Sequence, residues 1–211
     1  MNTLHVTLIQ TDLVWHDPEA NRRRLQERCG GLAGQTDLIV LPEMFTTGFT
    51  MAPESVAEPA NGPTVTWMRE QAAKLGAVIT GSIATRDGDG YYNRLVWMRP
   101  DGTHETYDKR HLFRMAHEQD HYSPGTRRLV VELKGFKILP LVCYDLRFPV
   151  WSRNKIGTDG GYDVLLYVAN WPERRRHPWQ TLLKARAIEN LSYCIGVNRV
   201  GKDGTDAVAQ I

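Results

Sequence analysis

Alternating runs of apolar and polar residues predict strands and helices in turn over the N-terminal part of the chain. LHVTLIQ and DLIVLPE are short runs rich in branched apolar residues, and PEANRRRLQERCGGL between them has helix formers bounded by a proline and a glycine pair. PTVTWMREQAAKLG predicts a helix that begins at Pro63 and ends at Gly76, and AVITGSIA predicts a buried strand after it. The chain therefore begins with a repeated β-α-β pattern.

The pattern changes in the middle of the chain, where turn signals separate strand-like runs. DGDG at 87–90 and PDG at 100–102 flank YYNRLVWMR, and LKG at 133–135 separates RRLVVE from FKILPLVCYD, so antiparallel hairpins are predicted. YDVLLYVAN, the helix-like HPWQTLLKARAIENL and SYCIGVNRV then resume the alternation. We predict an α/β protein with a mixed sheet covered by helices, and its length indicates a single domain over residues 1–211.

Composition indicates an ordinary globular protein. The chain has 42% hydrophobic residues, 24% charged residues and a formal net charge of +2. The N-terminus lacks a basic segment followed by an apolar one, and no apolar run reaches the roughly 18 residues that a membrane span needs. We expect a cytoplasmic protein that binds neither membrane nor nucleic acid, and interpret the basic run ERRRH at 173–177 as a solvated loop or helix start.

The cysteine and histidine pattern does not predict a disulfide framework or a metal site. Cys29, Cys143 and Cys194 form no CxxC pair, and the sequence contains neither HExxH nor a closely spaced set of His, Cys and Asp. We therefore expect no metal and no cofactor.

Cys143 is the first candidate for catalysis because it ends the apolar run ILPLVC. Side chains at the carboxyl ends of strands in α/β proteins face the crevice where ligands bind. The alternative is a cysteine that only packs, which is the commoner case for free cysteines. Arg147 is the one nearby cation that would favour a thiolate. Cys29 and Cys194 lack such a neighbour, and we interpret them as packing or surface residues.

A nucleophilic cysteine needs a base, and none of the seven histidines stands out, because most lie among charged or turn residues typical of a solvated surface. Glu43 ends the apolar strand of LIVLPEMFTTGF, where partial burial would raise the pKa of a carboxyl group toward the range useful for proton transfer. Lys109 in TYDKRHLF is a second charged candidate. A loop glutamate and a solvated lysine are the ordinary alternatives, so each residue alone is weak evidence.

Together, these residues resemble a known family. Glu43 in LPEMFTTGF, Lys109 in YDKRHLF and Cys143 in LVCYDLRFP have the order and rough spacing of the catalytic triad of the nitrilase, or carbon–nitrogen hydrolase, superfamily, and Glu118 matches its additional glutamate. YDKRHLFRM and CYDLRFPVWSRN are similar to the omega-amidases in particular. The resemblance covers residues 4–201, whereas GKDGTDAVAQI fits poorly, so some C-terminal strands of the family are expected to be missing.

The resemblance implies an α-β-β-α sandwich, a homodimer and hydrolysis of a small linear amide without a cofactor. Cys143 would attack the amide carbonyl to give a thioester, while Glu43 would move the proton to the departing ammonia and then activate water. Lys109 and the backbone N–H of Tyr144 would stabilise the oxyanion. Glu118 would orient Lys109 and the substrate.

Substrate specificity is expected from residues around this centre. Arg147 would bind a carboxylate, as an omega-amidase requires for 2-oxoglutaramate or 2-oxosuccinamate, although a salt bridge with Asp145 fits equally well. The candidate pocket walls are the aromatic residues Tyr144, Phe45, Phe148 and Trp171.

Two other functional classes remain open at this level. A nitrilase, an N-carbamoyl amidase or a general aliphatic amidase would use the same triad on a different substrate. A non-catalytic interaction protein could retain the scaffold without needing the triad. The presence of Glu43, Lys109 and Cys143 together favours an enzyme.

Overall fold

Two β-sheets form the centre of the structure, a computed structural model that describes residues 2–157, 160–203 and 206–207. The first sheet contains β1 (Val6–Leu8), β2 (Leu38–Val40), β3 (Glu58–Pro59), β4 (Val78–Asp87), β5 (Gly90–Met98) and β6 (His104–Asp108). Its strands lie in the order β1-β2-β4-β5-β6, and β3 pairs with the end of β4. Strands β1, β2 and β4 are parallel, whereas β4, β5 and β6 form an antiparallel meander.

The second sheet contains β7 (Val131–Leu133), β8 (Phe136–Val142), β9 (Val164–Ala169) and β10 (Tyr193–Asn198). Its order is β10-β9-β8-β7, with β8, β9 and β10 parallel and β7 antiparallel to β8. The predicted hairpins at 87–90, 100–102 and 133–135 are confirmed, because they join β4 to β5, β5 to β6 and β7 to β8.

The end of the chain contributes a short separate ladder, in which β11 (Lys202–Asp203) pairs with β12 (Asp206–Ala207). The prediction that C-terminal strands are missing concerns GKDGTDAVAQI, of which residues 204–205 and 208–211 lie outside the described residues. That prediction remains an expectation.

Most of the helices begin where a proline fixes the first helical residue. They are α1 (Pro18–Cys29), α2 (Pro53–Val56), α3 (Pro63–Leu75), α4 (Pro149–Ser152) and α5 (Arg176–Asn190). Asp17 caps α1, since its Oδ1 accepts a hydrogen bond from Ala20 N at 2.9 Å. Gly76 ends α3 with a φ of 65°, a left-handed conformation that glycine adopts without steric cost. The helix predicted to begin at Pro63 and end at Gly76 is confirmed.

The alternating direction of side chains along the strands of the first sheet explains why both of its faces are buried. Leu38 and Val40 of β2 pack in the core between the two sheets, whereas Ile39 packs on the other face with Leu25 of α1 and Met68 of α3. Successive side chains of a strand point to opposite faces, so a continuous apolar run serves both layers. The first sheet is therefore covered by the second sheet on one side and by helices on the other.

Helix α5 forms the outer layer of the second sheet. Trp179 belongs to the same core cluster as the strands of that sheet, and partly buried Leu183 packs against it. Gly196 of β10 allows the helix to come close, because a Cβ there would lie 2.7 Å from Leu183 Cδ1 and 2.9 Å from Trp179 Cζ2. The layers are thus helix, sheet, sheet and helix, as the α-β-β-α prediction requires.

Within the described part of the chain, no helix has the length and hydropathy needed to cross a lipid bilayer.

Candidate active site

The ends of three strands bring candidate residues together at one edge of the sandwich. Glu43 follows β2 of the first sheet after a short link, while Cys143 and Asn170 directly follow β8 and β9 of the second. Glu43 N donates a hydrogen bond to Ala169 O at 3.4 Å, and Asn170 N donates one to Glu43 Oε2 at 2.8 Å. The two sheets are therefore joined through Glu43, beside Cys143.

Lys109, which follows β6, forms a buried ion cluster with both predicted glutamates. Its Nζ lies 2.8 Å from Glu43 Oε1, 2.8 Å from Glu118 Oε2 and 3.0 Å from Glu118 Oε1. All three charged side chains are fully buried. The ammonium also lies 5.0 Å from the centre of the Phe49 ring. Glu43 and Glu118, which are 75 positions apart in the sequence, thus share one cation.

The protonation of this cluster follows from burial and neighbouring charge. Burial alone would lower the pKa of Lys109, but the negative charges of Glu118 and Glu43 outweigh it and raise the pKa far above its ordinary value. Burial raises the pKa of Glu118, an effect that Lys109 opposes and Glu43 reinforces. Lys109 therefore remains a cation in the site.

Asn93 of β5 completes the cluster and was not among the residues selected from the sequence. Its Nδ2 donates to Glu43 Oε1 at 2.8 Å and to Glu118 Oε1 at 3.1 Å, and the residue is fully buried. Asn93 shares a strand face with Leu95 and Trp97, both of the inter-sheet core. The sequence signal that could have identified Asn93 is a polar residue at a strand position that faces the core.

Cys143 occupies the turn where β8 ends and a 3₁₀ turn over Cys143–Arg147 begins. Its φ is 42°, in the left-handed region that a residue with a side chain adopts only at a cost of about 1–3 kcal/mol. The backbone N–H of Tyr144, the second residue of this turn, has no acceptor within the turn itself. The chain thus turns sharply at the thiol.

Left-handed backbone also flanks both glutamates. Met44, directly after Glu43, has a φ of 45°, and His117, directly before Glu118, has a φ of 58°. Together with Cys143 itself, these are conformations that residues other than glycine rarely adopt unless the surrounding structure enforces them. Sharp local turns therefore direct three of the clustered side chains.

The thiol of Cys143 is held in its neutral form. Burial raises its pKa well above the ordinary value, and the negative charge of Glu43 and a hydrogen bond with that carboxylate raise it further. Lys109 and the backbone N–H of Asn170 act in the opposite direction and do not compensate. A nucleophilic role for this thiol would require a base in contact with it, and the Glu43 carboxylate makes that contact.

Asp145 connects the Cys143 turn to the segment that carries Lys109. Its Oδ2 accepts from Tyr107 Oη at 2.7 Å and from Val142 N at 3.1 Å. Its Oδ1 accepts from His111 N at 3.0 Å and lies 2.8 Å from His111 Nδ1. The His111 side chain is only 22% exposed, contrary to the solvated surface expected for it.

A cavity with about 360 Å³ of empty space, including its open mouth, lies over the thiol. Its wall contains the predicted residues Cys143, Tyr144, Arg147 and Trp171, together with Asn170 and Pro172. Phe49, Phe113 and Arg175 also line it, although the sequence did not single them out. The cavity is therefore mostly apolar, with guanidinium groups as its cationic part.

Two of the predicted aromatic walls lie elsewhere. Phe45 is fully buried in the core behind the first sheet, 6.1 Å from the ring of Trp67. Gly81 makes room for it, since a Cβ there would lie 2.8 Å from Phe45 Cδ1. Phe148 stacks on His111 with ring centres 3.7 Å apart and lines a neighbouring surface groove. Phe49 and Phe113 occupy the cavity wall instead.

Arg147 has a different neighbour from the salt-bridge partner considered above. Its guanidinium lies 5.3 Å from the centre of the Trp171 ring, and Asp145, among the described ion pairs, pairs with His111. The salt-bridge alternative is therefore wrong.

The basic run at 173–177 begins helix α5, as one of the two interpretations predicted. Arg174 is exposed, and Arg176 pairs with Glu173 at 2.6 Å. Arg175 departs from the prediction because it points into the cavity.

The other cysteines are remote from this cluster. Cys29 ends α1 and is buried in the helix-covered core, and burial raises the pKa of its thiol to about 11. Cys194 lies in β10, and burial raises its pKa to about 12. Among the described residues, no group of three or more His, Cys, Asp or Glu side chains is arranged to hold a metal ion.

Comparison with known proteins identifies relatives over almost the whole chain. The sequence model of the carbon-nitrogen hydrolase family matches residues 5–209. The chain is 52% identical to an omega-amidase, YafV, of Escherichia coli over 204 residues, which are 97% of this chain and 77% of the relative. It is 32% identical to a 2-oxoglutaramate amidase of Bacillus subtilis, over 94% of this chain and 77% of the relative.

Solved structures give the same result for the fold. The crystal structure of XC1258 from Xanthomonas campestris, a CN-hydrolase superfamily protein with an arsenic adduct in its active site, matches with a TM-score of 0.95 and 51% identity. The match covers 99% of this chain and 80% of that one. Nit3 of Saccharomyces cerevisiae, a member of the nitrilase superfamily, matches with a TM-score of 0.85 and 25% identity over 98% of this chain and 80% of its own.

Proposed function

Because this chain belongs to the carbon–nitrogen hydrolase family, we propose that it hydrolyses the omega-amide of small 2-oxo dicarboxylate monoamides to the 2-oxo acid and ammonia. Candidate substrates are 2-oxoglutaramate and 2-oxosuccinamate. The observation that carries the proposal is one cavity that Cys143 and Arg147 both line. A thiol and a guanidinium, a group suited to bind a carboxylate, thus face the same space. The omega-amidase and 2-oxoglutaramate amidase relatives support the same substrate class.

In the first half-reaction, Cys143 Sγ forms a bond to the amide carbonyl carbon while its proton passes to Glu43. The oxygen of the tetrahedral intermediate becomes an oxyanion, which the Lys109 ammonium and the backbone N–H of Tyr144 stabilise. The carbon–nitrogen bond then breaks, and Glu43 returns the proton to the departing nitrogen. Ammonia leaves and a thioester remains on Cys143.

In the second half-reaction, Glu43 takes a proton from water as the water oxygen attacks the thioester carbonyl. The carbon–sulfur bond breaks and the proton returns to Cys143, so the sum is amide plus water to acid plus ammonia. The raised pKa of Cys143 supports this order, because a neutral thiol must lose its proton during the attack. Glu118 and Asn93 hold Lys109 and Glu43 in place.

The protein is further proposed to act as a cytoplasmic homodimer without nucleic-acid or membrane partners. Three unpaired cysteines support a reducing compartment. Exposed apolar side chains at Ile188, Leu191 and Tyr193, where α5 ends and β10 begins, support a self-contact. Light scattering after gel filtration should give a dimer mass for the wild type and a monomer mass for Leu191→Lys. A wild-type monomer would exclude the dimer.

Ammonia release from 2-oxosuccinamate, 2-oxoglutaramate, an N-carbamoyl amino acid, an aliphatic nitrile and butyramide tests the proposed activity. We expect kcat/KM to be at least 100-fold higher for the two 2-oxo substrates than for the others. Cys143→Ala should abolish turnover, and Cys194→Ala, the matched cysteine control, should retain it. Preference for the nitrile or the carbamoyl substrate would assign another activity of the superfamily, and equal rates for Cys143→Ala would exclude catalysis by this site.

A further inference from the structure

Arg175 presents a buried and unsatisfied donor at the cavity over Cys143. Its guanidinium lies 5.3 Å from the centre of the Phe113 ring, and its Nη2 lies 3.2 Å from Met115 Sδ. Its Nη1 is buried and has no hydrogen-bond partner within the described residues. A buried N–H group of a cation without an acceptor is costly, so such a group usually marks a place for a ligand or another acceptor.

A second cation faces the same space. Arg147 lines the cavity with its guanidinium over Trp171, and Trp171 Nε1 donates to Arg175 O at 2.7 Å. One indole therefore contacts both arginine residues, Arg147 through its ring face and Arg175 through its N–H. Burial and the positive charges of Arg174 and Arg147 lower the pKa of Arg175, as expected where cations are not balanced by an anion.

The acidic side chains in this part of the fold already have other partners. Glu173 pairs with Arg176 at 2.6 Å, and Asp145 pairs with His111. Glu43 and Glu118 share Lys109. Among the described residues, none of the ion pairs includes Arg147 or Arg175.

We propose that Arg175, together with Arg147, binds the carboxylate at the far end of the substrate, so that Arg175 is a specificity residue of the cavity. This inference rests on the proposed function, in which the amide end of the substrate lies at Cys143. The ligand class is a short acid amide whose terminal carboxylate offers oxygen acceptors to Nη1 of Arg175 and to the guanidinium of Arg147. Uncharged amides of the same length would leave both cations unsatisfied.

The first test compares charged and uncharged substrates in matched variants. Arg175→Gln should raise KM for 2-oxosuccinamate about 10- to 100-fold, with kcat within about twofold, and should leave kcat/KM for butyramide nearly unchanged. Arg174→Gln, the exposed neighbour, should change neither substrate by more than about twofold. Arg175→Lys should recover part of the loss because it keeps the charge but not the fork geometry.

A second readout does not depend on turnover. Succinate should protect Cys143 from iodoacetamide, as measured by mass spectrometry of the labelled peptide, and succinamide should protect far less. Arg175→Gln should raise the half-protecting succinate concentration at least tenfold, whereas Arg174→Gln should leave it unchanged.

The two readouts separate failure of this inference from failure of the proposed function. A wild type that hydrolyses none of the amides, with succinate protection that depends on Arg175, would reject the activity and retain the anion site. Equal losses of kcat/KM on charged and uncharged amides, or protection unaffected by Arg175→Gln, would overturn the role of Arg175. Thermal unfolding of each variant shows whether a loss reflects folding, and Arg175→Lys serves as the second variant if Arg175→Gln is unstable.

Discussion

Asn93 Nδ2 donates a hydrogen bond to Glu43 Oε1 at 2.8 Å, across 50 positions of sequence. The same nitrogen reaches Glu118 at 3.1 Å, so Asn93 duplicates the bridging contacts that Lys109 makes to the two carboxylates. Lys109 supplies the positive charge, and Asn93 supplies a neutral donor on a rigid strand. The orientation of the proposed base therefore depends on both residues.

Replacing Asn93 should reduce catalysis more than binding. We expect Asn93→Ala to lower kcat about 10- to 100-fold, equivalent to about 1.4–2.8 kcal/mol of activation free energy, with little change in KM. Steady-state ammonia release measures this. Asn190→Ala is the matched control, because Asn190 is equally buried but hydrogen-bonds to Arg186 O in α5. A lower melting temperature with unchanged kcat in Asn93→Ala would show a structural role only.

Lys109→Met should remove nearly all turnover and make stability depend on pH. Burial raises the pKa of Glu118 and Lys109 opposes the rise, so the folded-state pKa should rise further in the variant. A raised folded-state pKa gives stability that is present below the unfolded value and lost as pH increases through the folded value. At pH 8 the free energy of unfolding of the variant should therefore be about 3–5 kcal/mol lower than that of the wild type. At pH 5 the difference between variant and wild type should be smaller.

Urea unfolding at the two pH values measures this difference. Glu118→Gln added to Lys109→Met should restore part of the stability at pH 8, because it removes one of the two unpaired carboxylates. If the loss of unfolding free energy is equal at pH 5 and pH 8, and Glu118→Gln does not reduce it, unpaired buried carboxylates are not its cause.

Glu43→Gln should have opposite effects on thiol reactivity and on turnover. The charge of Glu43 and its hydrogen bond raise the pKa of Cys143, so their loss should lower that pKa and increase the thiolate fraction at a given pH. We expect the pH midpoint of iodoacetamide labelling at Cys143 to move down while amide hydrolysis falls at least 1000-fold, because the base is lost. Labelling of Cys194 in the same samples is the internal control. A midpoint that moves up would show that Glu43 assists labelling as a base.

Asp145→Asn should weaken both the Cys143 turn and the Lys109 segment. The buried carboxylate accepts from Tyr107, His111 and Val142, and hydrogen bonds to charged groups contribute about 1.5–3 kcal/mol each. We expect the free energy of unfolding to fall by about 2–3 kcal/mol and kcat to fall at least tenfold. Asp101→Asn, in an exposed turn, should change neither. Wild-type kcat in a destabilised Asp145→Asn would show that the turn holds its geometry without this contact.

Local signals were sufficient to predict most elements of the fold. Glycine and proline turns fixed the hairpins of β4 to β6 and of β7 with β8, and Pro63 and Gly76 bounded α3. The division of the strands into two sheets depends on pairing between distant segments, so periodicity alone predicted one mixed sheet. The sandwich was predicted only through the family resemblance.

Candidate residues that follow a strand could be selected from the sequence. Residues whose place in the cavity depends on the direction of their side chains could not. Glu43 and Cys143 could be selected because each ends an apolar run. The left-handed turn at Met44 directs Phe45 into the core under Gly81, and Phe49 reaches the cavity from further along the loop. The hydrophobic periodicity of a sequence does not indicate which single residue adopts a positive φ. Arg175 was similarly hidden in a run whose neighbours are solvated.

The hydrogen bond from Asn170 N to Glu43 spans 127 positions and connects the segments that follow the two sheets. A chain in which each sheet has formed but the two have not docked would lack the proposed base beside its nucleophile. Catalytic competence should therefore be gained in the last cooperative step of folding, after most secondary structure is present. During refolding, the recovery of activity should therefore have the same time course as the docking of the two sheets. It should be slower than the recovery of helix and strand content.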